Sequence, residues 1–298
     1  TNSKTVTYRL GLGAVNPNYG IDEDTYTATG YIERRTDYAD VTNSSNTGMD
    51  KPYDGNRSFA DGYRYRIGLV SADGTTGVVD HGIELIANSI SAAYQSPDVK
   101  RDSTGKVTTQ DVYFSNFNIK DTNTTDGDDA GNYIVRTTDG TGTLTGNGTI
   151  SPRTINVSVK QGPVKEYDGT TAIEGGNYVT AANINVDRTN LVANDTINVG
   201  LGSAPSYQHQ NAGTGIAYTY DLNWDNSNYE LAVDTAAAGQ SLSKGGLDKS
   251  GKLTATLAGS NGTITKRVLT VESITAADKV YDGTTGVNNA AANIVLNN

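Results

Sequence analysis

The chain has no cysteine in 298 residues, one methionine, one tryptophan, three phenylalanines and six prolines. Without cysteine there is no disulfide framework and no thiolate-ligated zinc. The lack assigns no compartment, because large bacterial exoproteins are also often cysteine-free. Long apolar runs are missing too: no stretch approaches the roughly 18 residues of a membrane-spanning helix. Basic residues are the minority, 23 Lys and Arg against 33 Asp and Glu, giving a net charge of −10. That excludes the usual nucleic-acid or anionic-membrane partner, which needs a basic face. Little leucine and a single methionine argue against a helical bundle. There is no initiating methionine and no signal peptide, and the expectation is an excerpt of a longer protein.

What is present in quantity is glycine (34 residues), tyrosine (18), threonine and asparagine. Thr and Tyr suit pleated strands, while Gly and Asn suit the turns between them. Period-two patterns recur at Val6, Tyr8, Leu10 and Leu12, at Ile155, Val157 and Val159, and at Tyr218, Tyr220 and Leu222. Alternation of this kind predicts strands with one buried face. Turn clusters fall at 72–77, 126–129, 137–140 and Gly245-Gly246. Only 82–94 and 231–242 could hold a helical turn or two. The predicted fold is all-β: tandem antiparallel β-sandwich (Ig-like) domains in an elongated array.

The array follows from a repeat. Lys51-Pro52-Tyr53-Asp54-Gly55, Lys165-Glu166-Tyr167-Asp168-Gly169-Thr170-Thr171 and Lys279-Val280-Tyr281-Asp282-Gly283-Thr284-Thr285 are spaced by 114 residues at each step (168 − 54 and 282 − 168). A Gly-x-Ile-x-x-Arg element precedes each, at Gly30, Gly148 and Gly262, the first displaced by four residues as by an insertion within 37–48. Asn-Tyr recurs at Asn18-Tyr19, Asn132-Tyr133 and Asn228-Tyr229, and a Ser/Ala-Tyr-Gln triplet at Ala93-Tyr94-Gln95 and Ser206-Tyr207-Gln208. A period of this length marks copied domains, each near the commonest domain size. The division read from it is 1–35, the end of one repeat; 36–150, a first complete but diverged repeat; 151–264, a second complete repeat; and 265–298, the start of a further one. No Gly/Ser or Pro-rich linker separates the copies, so the joints are expected to be short and stiff, with the strand through Ile150 and Ile155 running on from one copy into the next.

Each motif residue has a structural reading. Asp-Gly suits a tight turn in which Asp caps its own backbone and Gly takes positive φ. The Tyr before it can bury its ring at a corner, the Lys stem can cover that ring, and Thr-Thr re-enters a strand. A ligand pocket repeated along the chain is the alternative.

Lys-x-Tyr-Asp-Gly-Thr-Thr resembles the signature of the YDG domain, found in tandem in large secreted proteins of the filamentous haemagglutinin type. Asn211-Ala212-Gly213-Thr214, the strand 218–224, Asn228-Tyr229, Gly262-Thr263-Ile264 and Arg267-Val268-Leu269-Thr270-Val271 follow that family's order. The first complete repeat departs from it, with Asn56-Arg57 for Thr-Thr and no Asn-Ala-Gly-Thr. The resemblance implies stalk modules of a bacterial adhesin or biofilm-matrix fibre, extracellular or on the cell surface, exported by two-partner secretion. Implied partners are neighbouring repeats, other copies in a fibre, and a host glycan or surface receptor.

Candidate chemistry is sparse. Asp22-Glu23-Asp24 and Asp126-Gly127-Asp128-Asp129 concentrate carboxylates that could hold calcium, but neither fits the Asp-x-Asx-x-Asx-Gly loop, and we read them as solvated turns. No other cofactor is expected. His81 and His209 occupy different places in their repeats and have no visible partners. Phosphate loops and nucleophile elbows are missing, so no enzyme is expected. Asn-x-Ser/Thr occurs at Asn43, Asn56, Asn123, Asn147, Asn156, Asn194 and Asn261, as an Asn/Thr-rich chain produces by chance. Lys–Asn or Lys–Asp isopeptide links are a further route to toughness without cysteine.

Overall fold

A computed structural model describes residues 2–10, 18–19, 25–41, 49–59, 67–70, 83–86, 89–122, 130–137, 140–276, 278–286 and 292–297. These residues form strands and short 3-10 turns, with no α-helix among them. The chain divides into two compact units, Thr1–Lys100 with Val107–Ser151, and Arg101–Lys106 with Pro152–Asn298.

In the first unit, β1 (Asn2–Arg9) and β2 (Thr25–Ile32) form an antiparallel pair. β3 (Arg35–Val41), β4 (Lys51–Pro52), β5 (Ile67–Val70), β6 (Ile83–Leu85), β7 (Ser91–Tyr94), β8 (Gln110–Ser115) and β9 (Ile119–Asp121) follow, then β10 (Tyr133–Thr137), β11 (Leu144–Gly148) and β12 (Ile150–Ser151). β7, β8 and β11 form one antiparallel sheet, and β3 lies between β10 and β5 in another. Tyr53, Tyr94, Val112, Phe114, Leu144 and Ile150 are among its buried side chains.

The second unit contains β13 (Arg153–Val159), β14 (Val164–Glu166), β15 (Ile184–Val186), β16 (Val199–Leu201), β17 (Ser206–Tyr207), β18 (Gly213–Trp224), β19 (Tyr229–Val233), β20 (Ser241–Leu247) and β21 (Leu253–Thr265). A last antiparallel pair, β22 (Thr270–Ala276) with β23 (Ala292–Asn297), follows. β13 lies between β15 and β19, while β14, β21, β18 and β16 make the larger sheet. β18 is where alternation is clearest: Ile216, Tyr218, Tyr220, Leu222 and Trp224 point inward and are at most 3% exposed. Leu253, Ala255 and Leu257 also point inward on the neighbouring β21, at most 6% exposed, so the two rows side by side on one sheet face are part of the unit's core. Burying an aliphatic or aromatic side chain of this size contributes about 1.5–3 kcal/mol.

The all-β expectation holds, but the sheets are mixed and not purely antiparallel. β3 with β10, β4 with β12, β13 with β19, and β14 with β21 all pair in parallel. Parallel pairs need long connections, and the repeat length supplies them. Among their described residues the windows 82–94 and 231–242 hold no α-helix: they include β6, Ser89 in a 3-10 turn, β7 and β19, with turns after Asp234. Here pairing with neighbours overrides local preference. Gly245-Gly246 lies inside β20 at a register shift and not in a turn. The strand expected to run through Ile150 and Ile155 is broken at Pro152, whose nitrogen carries no hydrogen for a ladder. The turn clusters at 72–77 and 126–129, and residues 42–48 of the insertion window 37–48, lie outside the described residues.

Candidate functional site: a lysine caged at a repeated corner

Three sequence elements that are far apart along the repeat meet at one place. The motif strand pairs in parallel with the end of its own repeat: Lys51 lies opposite Ile150 and Lys165 opposite Ile264, 99 residues away in each case (150 − 51 and 264 − 165). The backbone bonds recur as well. Tyr53 N–H donates to Ser151 C=O at 2.8 Å, and Tyr167 N–H to Thr265 C=O at 2.9 Å. Hydroxyl contacts repeat too, Ser151 Oγ on Lys51 C=O and Thr265 Oγ1 on Lys165 C=O, both 3.3 Å. So Gly-x-Ile closes the unit that the Lys-x-Tyr-Asp-Gly motif opens.

The motif lysine fills the corner. Lys165 Nζ donates to Asp168 Oδ1 at 2.8 Å, to Thr170 C=O at 2.8 Å and to Ala172 C=O at 2.8 Å. Lys51 Nζ does the same with Asp54 Oδ1 at 2.7 Å, Asn56 C=O at 2.6 Å and Ser58 C=O at 2.8 Å. Lys279 Nζ donates to Thr284 C=O at 2.9 Å and Gly286 C=O at 2.7 Å, and pairs with Asp282 at 2.8 Å. An ammonium has three donors, and each cage offers at least three oxygens. The turn is built as expected in two respects. The Asp carboxylate accepts the N–H two residues on, at 2.9, 2.9 and 3.0 Å in the three copies, and Gly55, Gly169 and Gly283 have φ of 79°, 79° and 75°.

Three expectations about the motif are corrected. The lysine reaches a tyrosine other than the motif's own. Its Nζ sits 5.7 Å from the ring centroid of Tyr94 in the first unit and 5.9 Å from that of Tyr207 in the second, the tyrosines of the Tyr-Gln triplets. The motif tyrosines differ in burial: Tyr53 is 4% exposed, Tyr167 38% and Tyr281 92%. Thr170-Thr171 lies outside the strands. Thr170 Oγ1 bridges Lys165 and Asp168, and Thr171 C=O accepts Tyr207 N–H at 2.8 Å. In the first unit Arg57 C=O accepts Tyr94 N–H at the same 2.8 Å. Because that contact is made by the backbone, Asn56-Arg57 keeps it, and only the hydroxyl bridge of Thr170 is lost.

The triplet tyrosine completes the lattice. Tyr94 Oη donates to Met49 C=O and to Thr149 C=O, and Tyr207 Oη donates to Thr263 C=O at 3.1 Å. Its ring rests on the glycine of Gly-x-Ile. A Cβ at Gly148 would lie 2.8 Å from Tyr94 Oη, and one at Gly262 2.7 Å from the Tyr207 ring. Burial, the largest cause, pushes the Tyr207 phenol up to about 12. The Lys165 hydrogen bond, first of all, holds Asp168 down at about 2 against an ordinary 3.8. A depressed folded value means that the cage stabilises above about pH 4 and loses that contribution as pH falls through about 2. We expect the Asp168 carboxyl carbon to titrate by NMR near pH 2. A midpoint near the ordinary value would reject the cage.

The Asn-Tyr element forms a second recurring contact. Tyr133 and Tyr229 start β10 and β19 opposite Arg35 and Arg153, and both are buried. Asn228 C=O accepts Arg153 N–H at 3.1 Å, and Tyr229 Oη bridges Val192 N–H and Asp195 Oδ2. Asn132 lies in the 3-10 turn before β10. One element went unread in the sequence: Ala181-Ala182-Asn183-Ile184 returns as Ala291-Ala292-Asn293-Ile294. Asn183 is 4% exposed and donates to Gln161 C=O and Tyr220 Oη.

Asp22-Glu23-Asp24, Asp126, Asp128, Asp129 and His81 lie outside the described residues, and His209 is exposed. Among the described residues no three His, Asp or Glu are grouped to hold a metal, and no helix is long and apolar enough to cross a membrane.

This is an all-β chain whose units close through a caged lysine. A YDG domain is detected at residues 151–238, which span β13 to β19 and include the second cage. Neither the curated proteins nor the solved structures contain a match to the chain.

Proposed function

We propose that this chain is a run of stalk modules, Ig-like β-sandwich units in an elongated array, within a large secreted or surface-anchored bacterial adhesin or biofilm-matrix protein exported by two-partner secretion. The observation that carries this reading is the recurrence of one corner lattice at Lys51 and Lys165, with the lysine cage itself returning at Lys279. The ammonium in each is consumed by carboxylate and carbonyl oxygens, so the motif serves folding and leaves no activated group for catalysis. Copying such a unit extends reach. Its partners are then neighbouring repeats and, in a fibre, other copies. Small-angle scattering of the full chain tests it. A compact 298-residue globule has a radius of gyration of about 19 Å, and a rod of such units well above that. A value near 19 Å rejects the stalk.

A second reading is a binding module for carbohydrate or a host protein. A groove beside the second motif is lined by Tyr167, Asp168, Asn211, Lys266, Arg267 and Leu269, and combines an exposed ring with amide and cationic groups. Capture on a glycan array, lost on Tyr167→Ala, would favour it.

A further inference from the structure

We propose that the parallel pair joining each motif to the end of its repeat is a shear clamp, the element that resists mechanical extension of the unit. This deepens the stalk reading and rests on it for its biological meaning.

The argument is geometric. Tension from the N-terminal side first meets β13, itself paired in parallel with β19, and passes to the clamp at the N-terminal end of β14, from Pro163; it leaves at the C-terminal end of β21, toward Lys266. In a parallel pair those two ends lie at opposite ends of the ladder. Pulling them apart slides one strand along the other and loads every rung at once. In an antiparallel pair the same ends lie side by side, and the rungs open one at a time. The rungs of β14 on β21 run from Thr263 N–H on Pro163 C=O at 2.9 Å to Tyr167 N–H on Thr265 C=O at 2.9 Å. The first unit repeats the arrangement with Lys51 N–H on Thr149 C=O at 3.0 Å and Tyr53 N–H on Ser151 C=O at 2.8 Å.

A ladder this short would slide easily if its strand were held by backbone alone. The caged lysine is the lock. Lys165 sits in the middle of β14, opposite Ile264, and its side chain is 7% exposed; Lys51 occupies the same position at 1%. Any slip of β14 must drag the enclosed ammonium out of three oxygen contacts before water can replace them, although its partner Asp168 is itself 36% exposed. The triplet tyrosine adds a cross-tie, since Tyr207 Oη holds Thr263 C=O on β21 while its ring faces the lysine on β14. Cage and ladder therefore break together. The residues closed behind the clamp, from Lys165 to Thr265 or Lys51 to Ser151, are then released in one step.

Single-molecule force spectroscopy of the full chain, pulled by its two ends, tests this. Forced unfolding reads the unfolding barrier and not the equilibrium stability. Two major events are expected, each freeing about 100 residues, or at most about 360 Å of extended chain. Lys165→Met should weaken one event about twofold and leave the other as an internal control, and Lys51→Met should weaken the other one. Asp168→Asn keeps an amide oxygen for the turn and is the milder variant if the methionine variant does not fold; Trp224 emission reports folding of that unit. Stepwise release in short increments would overturn the clamp, as would rupture forces unchanged in every folded variant. Scattering reads shape and pulling reads the clamp, so an elongated chain with weak events would sink this inference alone, and a compact chain with strong events would sink the stalk alone.

Discussion

Lys51→Ala is expected to destabilise the first unit by about 2–4 kcal/mol, with Lys165→Ala close behind in the second and Lys279→Ala costing under about 1 kcal/mol. Breaking a buried ion pair by removing one partner typically costs about 3–5 kcal/mol, because the remaining groups stay desolvated. Here the lysine is the buried member, and the Asp54 and Asp168 carboxylates are 37% and 36% exposed, so they can rehydrate and the upper end is not reached. The carbonyls of Asn56 and Ser58 lose a charged donor, each such bond contributing about 1.5–3 kcal/mol without simple additivity. Lys279 is 31% exposed and Asp282 58%, which places it with surface pairs of about 0–1 kcal/mol. Urea unfolding reads the order. Trp224 is the only tryptophan and sits in the second unit, so its emission should shift for Lys165→Ala by about 1–2 M in midpoint and stay unmoved for Lys51→Ala. Equal losses for all three lysines would contradict the cage.

Much of this corner was legible as parts and none of it as an assembly. Lys-x-Tyr-Asp-Gly, Gly-x-Ile and the Tyr-Gln triplet each announce themselves by recurrence, and Asp-Gly announces a turn through chemistry that acts over two residues. The meeting of Lys165 with Tyr207 and Gly262 depends on a parallel pairing between residues 99 apart, which no local period encodes. That is also why an antiparallel fold was the natural expectation: alternation reports strands and faces, and is silent on direction. The tyrosine that the lysine meets lies 42 or 43 residues along the chain (207 − 165 and 94 − 51), so local spacing points only to the nearer motif tyrosine. Ala-Ala-Asn-Ile does not stand out at the 114-residue interval because its copies are 110 residues apart (291 − 181). Burial of the motif tyrosine is not legible, since Tyr53, Tyr167 and Tyr281 share the Lys-x-Tyr-Asp-Gly frame and differ in what lies over them.

Gly148→Ala is the smallest change with the largest expected effect. A Cβ there would lie 2.4 Å from Met49 C=O and 2.8 Å from Tyr94 Oη. The first of these is backbone and cannot swing aside, and Tyr94 is fully buried, with its phenol held between Met49 and Thr149 carbonyls. Relief requires β11 to move off its partners or the phenol to leave its acceptors. Overpacking of a tight core typically costs about 1–3 kcal/mol, and the lost buried hydrogen bonds add to that, so about 3–4 kcal/mol is expected. The second unit supplies the comparison. At Gly262 the nearest atoms are the Tyr207 ring at 2.7 Å and Ile216 C=O at 2.8 Å, a less severe approach, so Gly262→Ala should cost about 1 kcal/mol less. Pairing Gly148→Ala with Tyr94→Phe is informative, because deleting the hydroxyl removes one clash and leaves the carbonyl in place. The double variant should recover only part of the loss by thermal or urea unfolding. Full recovery would locate the whole constraint in the phenol, and no loss in the single variant would mean that the ring does not rest on the glycine.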